Sequence, residues 1–227
     1  MIPPIPVPGP LAARPADWLL LLGVTALAPV LLVTLTSFLK ISVVLSVLRS
    51  ALGAPQVPPT TAVTGLALVL TLAVMAPVGE AALTAAQSVP PGGDAGALAA
   101  GTRALVPLKG FLSRFSRPDD REAFVDLARR LRTGAPPAEV SDDDLAVLAP
   151  AFMVSELRRA FTIGFLVFLP FLVVDLVVAN VLLALGLTQL SPTSVSLPLK
   201  LLLLVAVDGW RLLARGLALA YAPLGGP

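Results

Sequence analysis

The chain has 227 residues, of which 56% are apolar and only 13% are charged, and its mean hydropathy is +0.90. Soluble domains are roughly half apolar and about a quarter charged, so this composition indicates a membrane protein. The sequence contains no Cys and no His, which excludes disulfides, thiol nucleophiles, imidazole bases and the usual zinc sites. The formal charge of +2 comes from basic residues interleaved with acids, so no nucleic-acid partner is predicted.

The N-terminal part of the chain predicts a helical hairpin. Residues 1–17 are rich in proline and predict an irregular N-terminus. Residues 18–39 form an apolar run long enough to cross roughly 30 Å of hydrocarbon, and we expect it to be an uncleaved first span. Lys40 interrupts this run, so the helix either extends past the lipid or bends there. A Gly- and Pro-rich segment then ends the helix, and a second span at residues 60–79 completes a hairpin over residues 18–79.

A hydrophilic segment follows the hairpin. Residues 80–159 hold 11 of the 14 acids and 10 of the 16 bases, which predicts a helical insert in water. Within it, apolar side chains recur at helical spacing at Phe124, Leu127, Ala128 and Leu131. Acids precede this run and arginines follow it, as in a helix matched to its own dipole. Ser141, before three aspartates, predicts the N-cap of another helix, which Pro150 kinks or restarts.

Residues 160–227 predict a second helical hairpin region. The apolar run at residues 160–190 exceeds one straight crossing, so a kinked helix or a close-packed hairpin is expected. A loop at residues 191–194 leads to a final helix over residues 201–218. The predicted fold is an all-α membrane protein with four nominal transmembrane helices arranged as helical hairpins. The helical insert lies between the second and third of these helices.

The basic residues predict the orientation of these spans. Lys40 and Arg49 lie in or beside the short connection between the first two spans, which places that connection in the cytoplasm. Four spans then place both termini and the insert on the periplasmic side.

Five charged residues lie in apolar surroundings, at Asp175, Lys200, Asp208, Arg211 and Arg215. An unpaired charge in the membrane costs on the order of several kcal/mol, so each of them needs a partner. Asp175 and Lys200 have no partner within one helical turn, which favours pairing with another helix or another subunit. Asp208 precedes Arg211 by three residues, which favours a local ion pair over one between subunits.

Catalytic and metal sites are not predicted. The acidic run at residues 142–144 has the chemistry for a divalent cation, but charge at a helix N-terminus is the commoner reason for such a run. No Gly-rich phosphate loop followed by Lys occurs. A serine hydrolase would need Lys40 or Lys200 as its base, and neither lies in a nucleophile motif. We therefore expect a non-enzymatic protein without metal or cofactor.

Three blocks of sequence resemble one family. They comprise residues 36–53, 57–59 and 75–79, then 150–161, 163–165 and 170–175, and finally 196–200 and 207–210. In this order and spacing the chain resembles the SctR/FliP family of the type III secretion export apparatus. The family-motif positions within the blocks are Phe152, Glu156, Phe161, Gly164 and Trp210.

The resemblance implies a pore-forming subunit in the bacterial inner membrane. Five copies of such a subunit are expected to form a ring, together with SctS/FliQ-like and SctT/FliR-like partner subunits. The ring conducts unfolded export substrates. In this family the nominal spans form hairpins that assemble largely on the periplasmic side, so apolar surface is expected to face neighbouring subunits rather than lipid.

The resemblance also implies a pore loop at Leu187, Thr188 and Gln189, where the family has a methionine-rich turn that seals the closed pore. Methionine suits such a turn because its unbranched side chain adapts to what passes, whereas Thr and Gln are wetter. The short length and the motif at residues 75–79 favour the injectisome branch over the flagellar branch. An unrelated channel or transporter would show repeats and a mid-membrane polar site, and a scaffold would tolerate polar bulk at the loop.

Overall fold

The computed structural model describes residues 15–54, 58–90, 93–131 and 140–222, and all regular structure in these ranges is helical. The helices there are α1 (Pro15–Leu35), α2 (Phe38–Leu52), α3 (Thr60–Gln87), α4 (Gly93–Phe115), α5 (Pro118–Leu131), α6 (Leu145–Ala184), α7 (Pro192–Ala206) and α8 (Gly209–Leu219). The predicted all-α class is confirmed. Most of the predicted irregular N-terminus, at residues 1–14, lies outside the described residues.

The first apolar stretch bends before Lys40. Residues Thr25–Leu35 and helix α2 meet at an angle of 71°. At the bend the Thr36 hydroxyl donates to the Leu32 carbonyl and accepts a hydrogen bond from the Phe38 amide at 3.2 Å. A threonine side chain that competes for backbone groups in this way breaks the helical hydrogen-bond ladder. The alternative of a bend is therefore the one observed, and its cause is Thr36 and not the charge of Lys40.

Helix α2 is the centre of the molecule. Its buried residues include Ile41, Val44, Leu45 and Leu48, which follow the spacing of one helix face. Helices α3, α6 and α7 pack against α2. Helix α2 contributes buried residues to two apolar clusters, which also include residues of α3, α6, α7 and α8.

Helix α3 extends beyond its predicted end to Gln87 and carries Pro77 inside it. The predicted start of the insert at residue 80 therefore lies inside this helix. Helix α4 packs against α3. Phe111 and Leu112 of α4 bury against Leu148 and Phe152 of α6, in a cluster separate from the one around α2.

The predicted amphipathic helix is observed as α5, with Asp119 and Asp120 in its first turn and Arg129 and Arg130 in its last. The predicted N-cap at Ser141 is wrong, because α6 begins at Leu145 with Asp144 as its N-cap residue. Ser141 instead closes the preceding turn: its carbonyl accepts from the Asp144 amide at 3.1 Å.

Helix α6 runs unbroken for 40 residues and contains both Pro150 and Pro170. Neither proline ends the helix, and of the two alternatives expected for residues 160–190, a hairpin is not formed within this stretch, which is helical to Ala184. The predicted domain boundary between residues 159 and 160 also lies inside α6. The insert and the following apolar stretch are therefore joined by one continuous helix.

The predicted final helix is broken. Helix α7 begins at Pro192, inside the predicted loop, and ends at Ala206, and α8 begins at Gly209. Between them Asp208 has a φ of 51°, in the left-handed region. A Cβ on Gly209 would lie 2.4 Å from Leu204, so the chain can turn this tightly only with glycine there.

Among the described residues two helices, α3 and α6, are long and apolar enough to cross a membrane. Counting the bent pair of Thr25–Leu35 and α2 as one broken span gives up to three. The predicted arrangement of four nominal spans is therefore not confirmed for the residues that the structure describes. The last apolar stretch is divided between α7 with 15 residues and α8 with 11, each shorter than the roughly 20 residues that a crossing needs.

Candidate functional site

The turn between α6 and α7 presents the three residues expected at a pore loop. Gly186, with a φ of 73°, ends α6, and the Leu187 amide returns to the Leu182 carbonyl at 2.9 Å. Leu187 is 43% exposed, and Thr188 and Gln189 are also exposed. The turn is therefore a short, well-defined tip whose side chains point away from this chain's core.

Beneath the tip, α6 and α7 are joined by a charged pair. The Lys200 ammonium lies 2.6 Å from Asp175 Oδ2, and the Ser196 hydroxyl donates to Asp175 Oδ1 at 2.6 Å. Lys200 Nζ also donates to the Ala51 carbonyl at 2.9 Å, in the last turn of α2. Lys200 is almost completely buried, and its ammonium connects α7 to both α6 and α2.

A second charged cluster lies at the opposite end of α2. Glu156 of α6 is fully buried and lies 3.3 Å from Lys40 and 3.0 Å from Arg159. The Tyr221 hydroxyl donates a hydrogen bond to Glu156 Oε2, the same oxygen that Lys40 contacts, and Lys40 Nζ lies 3.6 Å from the centre of the Tyr221 ring. A buried carboxylate with two cations and one hydroxyl donor is fully satisfied, which is the condition for keeping it charged.

The environment of Tyr221 favours its neutral form. Burial raises the pKa of the Tyr221 hydroxyl far above its ordinary value, and the negative charge of Glu156 raises that pKa further. The hydroxyl therefore remains a proton donor to Glu156 at every pH at which the protein is handled.

A polar contact fixes the insert to α6. The Ser155 hydroxyl donates to Asp120 Oδ2 at 2.7 Å and accepts from the Arg117 amide at 2.9 Å. Arg158 lies 3.6 Å from the other Asp120 oxygen, and Arg159 donates to the Phe115 carbonyl at 2.8 Å. The start of α5 and the end of α4 are thus held against the middle of α6.

The family-motif residues fall into two kinds of environment. Phe152 is fully buried, with its ring centre 5.6 Å from that of Phe111. Gly164 lies against Val47 of α2, and a Cβ there would approach Val47 to 3.1 Å. Trp210 packs against both apolar clusters around α2. Phe161, in contrast, is 61% exposed.

Asp208 lies apart from these clusters. Its carboxylate is 3.3 Å from Arg211, three residues later, and both side chains are more than half exposed. Asp175 and Lys200 are brought together, whereas Asp208 forms only this local pair at the break between α7 and α8.

The cluster around Glu156 carries only a weak signal in the sequence. Lys40 and Glu156 are opposite charges in two helices, and Lys40 interrupts an apolar run, which marks it as a residue that needs a partner. Tyr221 lies 65 positions from Glu156 and no local pattern connects them. Among the described residues no group of three or more His, Cys, Asp or Glu is placed to hold a metal ion.

The sequence that forms these helices can be compared with those of known proteins. The model of the FliP family matches residues 21–217, from within α1 to within α8. The chain belongs to the FliP family. The match includes the turn at Leu187 to Gln189 and both charged clusters except Tyr221.

Several curated relatives of this FliP-family chain cover nearly its whole length. The Yop proteins translocation protein R of Yersinia pestis is 43% identical to this chain, over 89% of this chain's length and 94% of its own length. The hypersensitivity response secretion protein HrcR of Ralstonia nicotianae is 43% identical over 86% and 92%. The flagellar biosynthetic protein FliP of Bacillus subtilis is 40% identical over 89% and 90%. Secretion and flagellar members of the FliP family are thus similar to this chain to nearly the same degree.

Proposed function

We propose that this chain is a core pore-forming subunit of the type III secretion export apparatus in the bacterial inner membrane. Copies of the chain form a ring, in this proposal a ring of five, through which unfolded export substrates pass. The observation that carries the proposal is the exposed tip at Leu187 to Gln189, held on the α6–α7 hairpin of a FliP-family chain. The proposed role is conduction and involves no catalysis.

The exposed apolar surface supports assembly. Along α6, large apolar side chains stand more than half exposed at Phe165, Leu166, Val173, Leu176 and Val177. A contiguous apolar surface of this kind requires lipid or protein to cover it. In the proposal much of it faces neighbouring copies and the SctS/FliQ-like and SctT/FliR-like subunits, on the periplasmic side of the membrane.

The tip supports a pore-lining role through its rigidity. Ser191 and Pro192 begin α7 directly after the turn, and the Asp175 to Lys200 contact fixes the two helices below it. Because the turn is short and its base is fixed, copies arranged around an axis would place equivalent side chains at one level. In this chain the resulting constriction would be lined by Leu, Thr and Gln.

We assign the chain to the injectisome branch of the family. The names of the Yersinia and Ralstonia relatives refer to translocation and secretion, and the chain covers more than nine-tenths of each of them. The flagellar relatives remain the alternative, and genetic complementation of an injectisome mutant and a flagellar mutant separates the two.

Native mass spectrometry of the detergent-solubilised chain tests the proposal, first alone and then co-expressed with the two partner subunits. We expect a multimer of the chain, of five copies, that takes up both partners. A stable monomer or dimer that ignores the partners would contradict the proposal and favour an unrelated channel or transporter.

A further inference from the structure

A cavity of 760 Å³ lies where the end of α4, the middle of α6 and the residues after α8 meet. Among the described residues its walls carry five cationic side chains, namely Lys40, Arg114, Arg117, Arg158 and Arg159, and no acidic one. Such a concentration of guanidinium groups is typical of sites that bind phosphate, because the planar fork of Arg matches two phosphate oxygens at once.

Two of the cations have structural partners inside the protein. Lys40 and Arg159 are both paired with the buried Glu156. Their positions are therefore fixed by the fold, and they contribute positive potential to the cavity without being free to move into it.

The other three cations are available to a ligand. Arg117 and Arg158 face Asp119 and Asp120 at 3.2 Å and 3.6 Å, as partly exposed pairs of small energetic value. Arg114 forms no ion pair among the described residues, and its guanidinium lies 5.4 Å from the centre of the Phe115 ring. Among the described residues the five cations of the cavity thus outnumber the three carboxylates that pair with them from outside it.

An apolar surface continues from the cavity along α6. Thr162 lines the cavity, and Phe165 and Leu166 follow it by three and four residues, on the same face of the helix. They are 62% and 61% exposed. Ile163 and Leu219 add apolar wall within the cavity itself. A free phosphate ion would need only the cations, whereas a ligand with an anionic head and an apolar tail fits both parts.

We propose that this cavity binds the phosphate of an anionic phospholipid, with Arg114 and Arg158 as its direct ligands and Phe165 and Leu166 against an acyl chain. The site lies where the charged insert meets the apolar part of α6, and Phe165 and Leu166 belong to the part of the exposed apolar surface that this proposal assigns to lipid and not to a neighbouring copy. The inference goes beyond the proposed export role and does not depend on it.

The test uses the full chain, co-expressed with its partner subunits and purified in detergent. Phosphatidylglycerol or phosphatidylcholine is titrated in, and bound lipid is counted by native mass spectrometry. We expect the wild type to bind phosphatidylglycerol about ten-fold more tightly than phosphatidylcholine, since both lipids carry the phosphate but the choline cation of phosphatidylcholine is repelled by the arginines. The double variant Arg114→Gln/Arg158→Gln is expected to lose this preference.

Two controls keep the result specific. Arg130→Gln changes an exposed arginine of α5 outside the cavity and should retain the preference. Arg114→Gln alone removes no ion pair, so it should fold as the wild type does while weakening phosphatidylglycerol binding several-fold.

Three outcomes would overturn the inference. Equal binding of the two lipids, or a preference that survives in the double variant, would show that the cavity does not distinguish the two headgroups. Displacement of phosphatidylglycerol by equimolar inorganic phosphate would identify the site as one for free phosphate. Loss of partner subunits from the double variant, with lipid preference unchanged, would identify the arginines as contacts for a carboxylate of another chain.

Discussion

Asp175 and Lys200 differ in exposure, and this difference decides what each contributes. The Lys200 side chain is 3% exposed and the Asp175 side chain is 37% exposed. If Asp175 is neutralised, the ammonium of Lys200 stays buried. It keeps its hydrogen bond to the Ala51 carbonyl, but its contact with residue 175 loses the opposite charge. If Lys200 is neutralised, Asp175 retains the Ser196 hydroxyl and its partial exposure.

We therefore predict that Asp175→Asn lowers the free energy of unfolding by about 3 kcal/mol and Lys200→Met by about 1 kcal/mol. The double variant should be less destabilised than the sum of the two, because no unpaired charge remains. Thermal unfolding in detergent measures all three. Additive effects would mean that the two side chains do not interact in the folded protein.

Gly164 is a position at which one added carbon atom is expected to lower the stability of the protein. A Cβ at residue 164 would lie 3.1 Å from Val47, so we expect Gly164→Ala to destabilise the protein by about 1 kcal/mol or more by forcing α2 and α6 apart. Adding Val47→Ala should restore much of the loss. Gly101→Ala is the matched control, since a Cβ there meets nothing within 4 Å in another helix. Equal effects at both glycines would show that helix packing is not the cause.

At the scale of the element, the short segment after α8 is fixed by Tyr221. Its hydroxyl is held protonated in the folded state, whereas the unfolded chain ionises near the ordinary pKa of 10.0. Below that pH both states are protonated and the contact stabilises the fold fully. As the pH rises above about 10, only the unfolded state loses the proton, so stability falls.

The corresponding prediction compares wild type with Tyr221→Phe. At pH 8 the variant should be less stable by about 1 to 3 kcal/mol, because Glu156 loses a buried hydrogen-bond donor. Above pH 10 the difference should narrow, as the wild type alone loses the contribution of Tyr221. Thermal unfolding of both proteins from pH 8 to pH 11 tests this, and a constant difference would contradict the assigned pKa shift.

Elements that depend on nearby residues in the sequence were predictable, and elements that depend on tertiary contacts were not. Helix α5 follows from its own charge order and apolar spacing. The break between α7 and α8 depends on the contact of Gly209 with Leu204, which hydropathy does not reveal because the stretch is apolar on both sides. Likewise Lys200 and Ala51 are 149 positions apart, so the need for a partner was foreseeable but the partner was not.

At the scale of the whole molecule, the tip between α6 and α7 is where this chain would meet a passing substrate. We predict that Gln189→Arg changes ion leak or the secretion of export substrates, because it adds bulk and charge to every copy around the proposed pore. The fold should be unaffected, since Gln189 is exposed. Secretion assays and membrane-leak assays in cells measure the effect.

The matched control is Gln87→Arg, the same substitution at an exposed residue at the end of α3. It should leave leak and secretion as in the wild type. An unchanged phenotype for Gln189→Arg would count against a pore-lining tip and would favour a structural scaffold.

Both ends of α2 are anchored by buried lysines, and this restricts how a conduit built from such chains can open. Lys40 in its first turn is bound to Glu156, and its last turn accepts a hydrogen bond from Lys200. Sliding α2 along α6 by one turn, about 5.4 Å, would break both contacts at once. If the proposed conduit widens, α2, α6 and α7 are therefore expected to move together, because these contacts join α2 to both of the other helices.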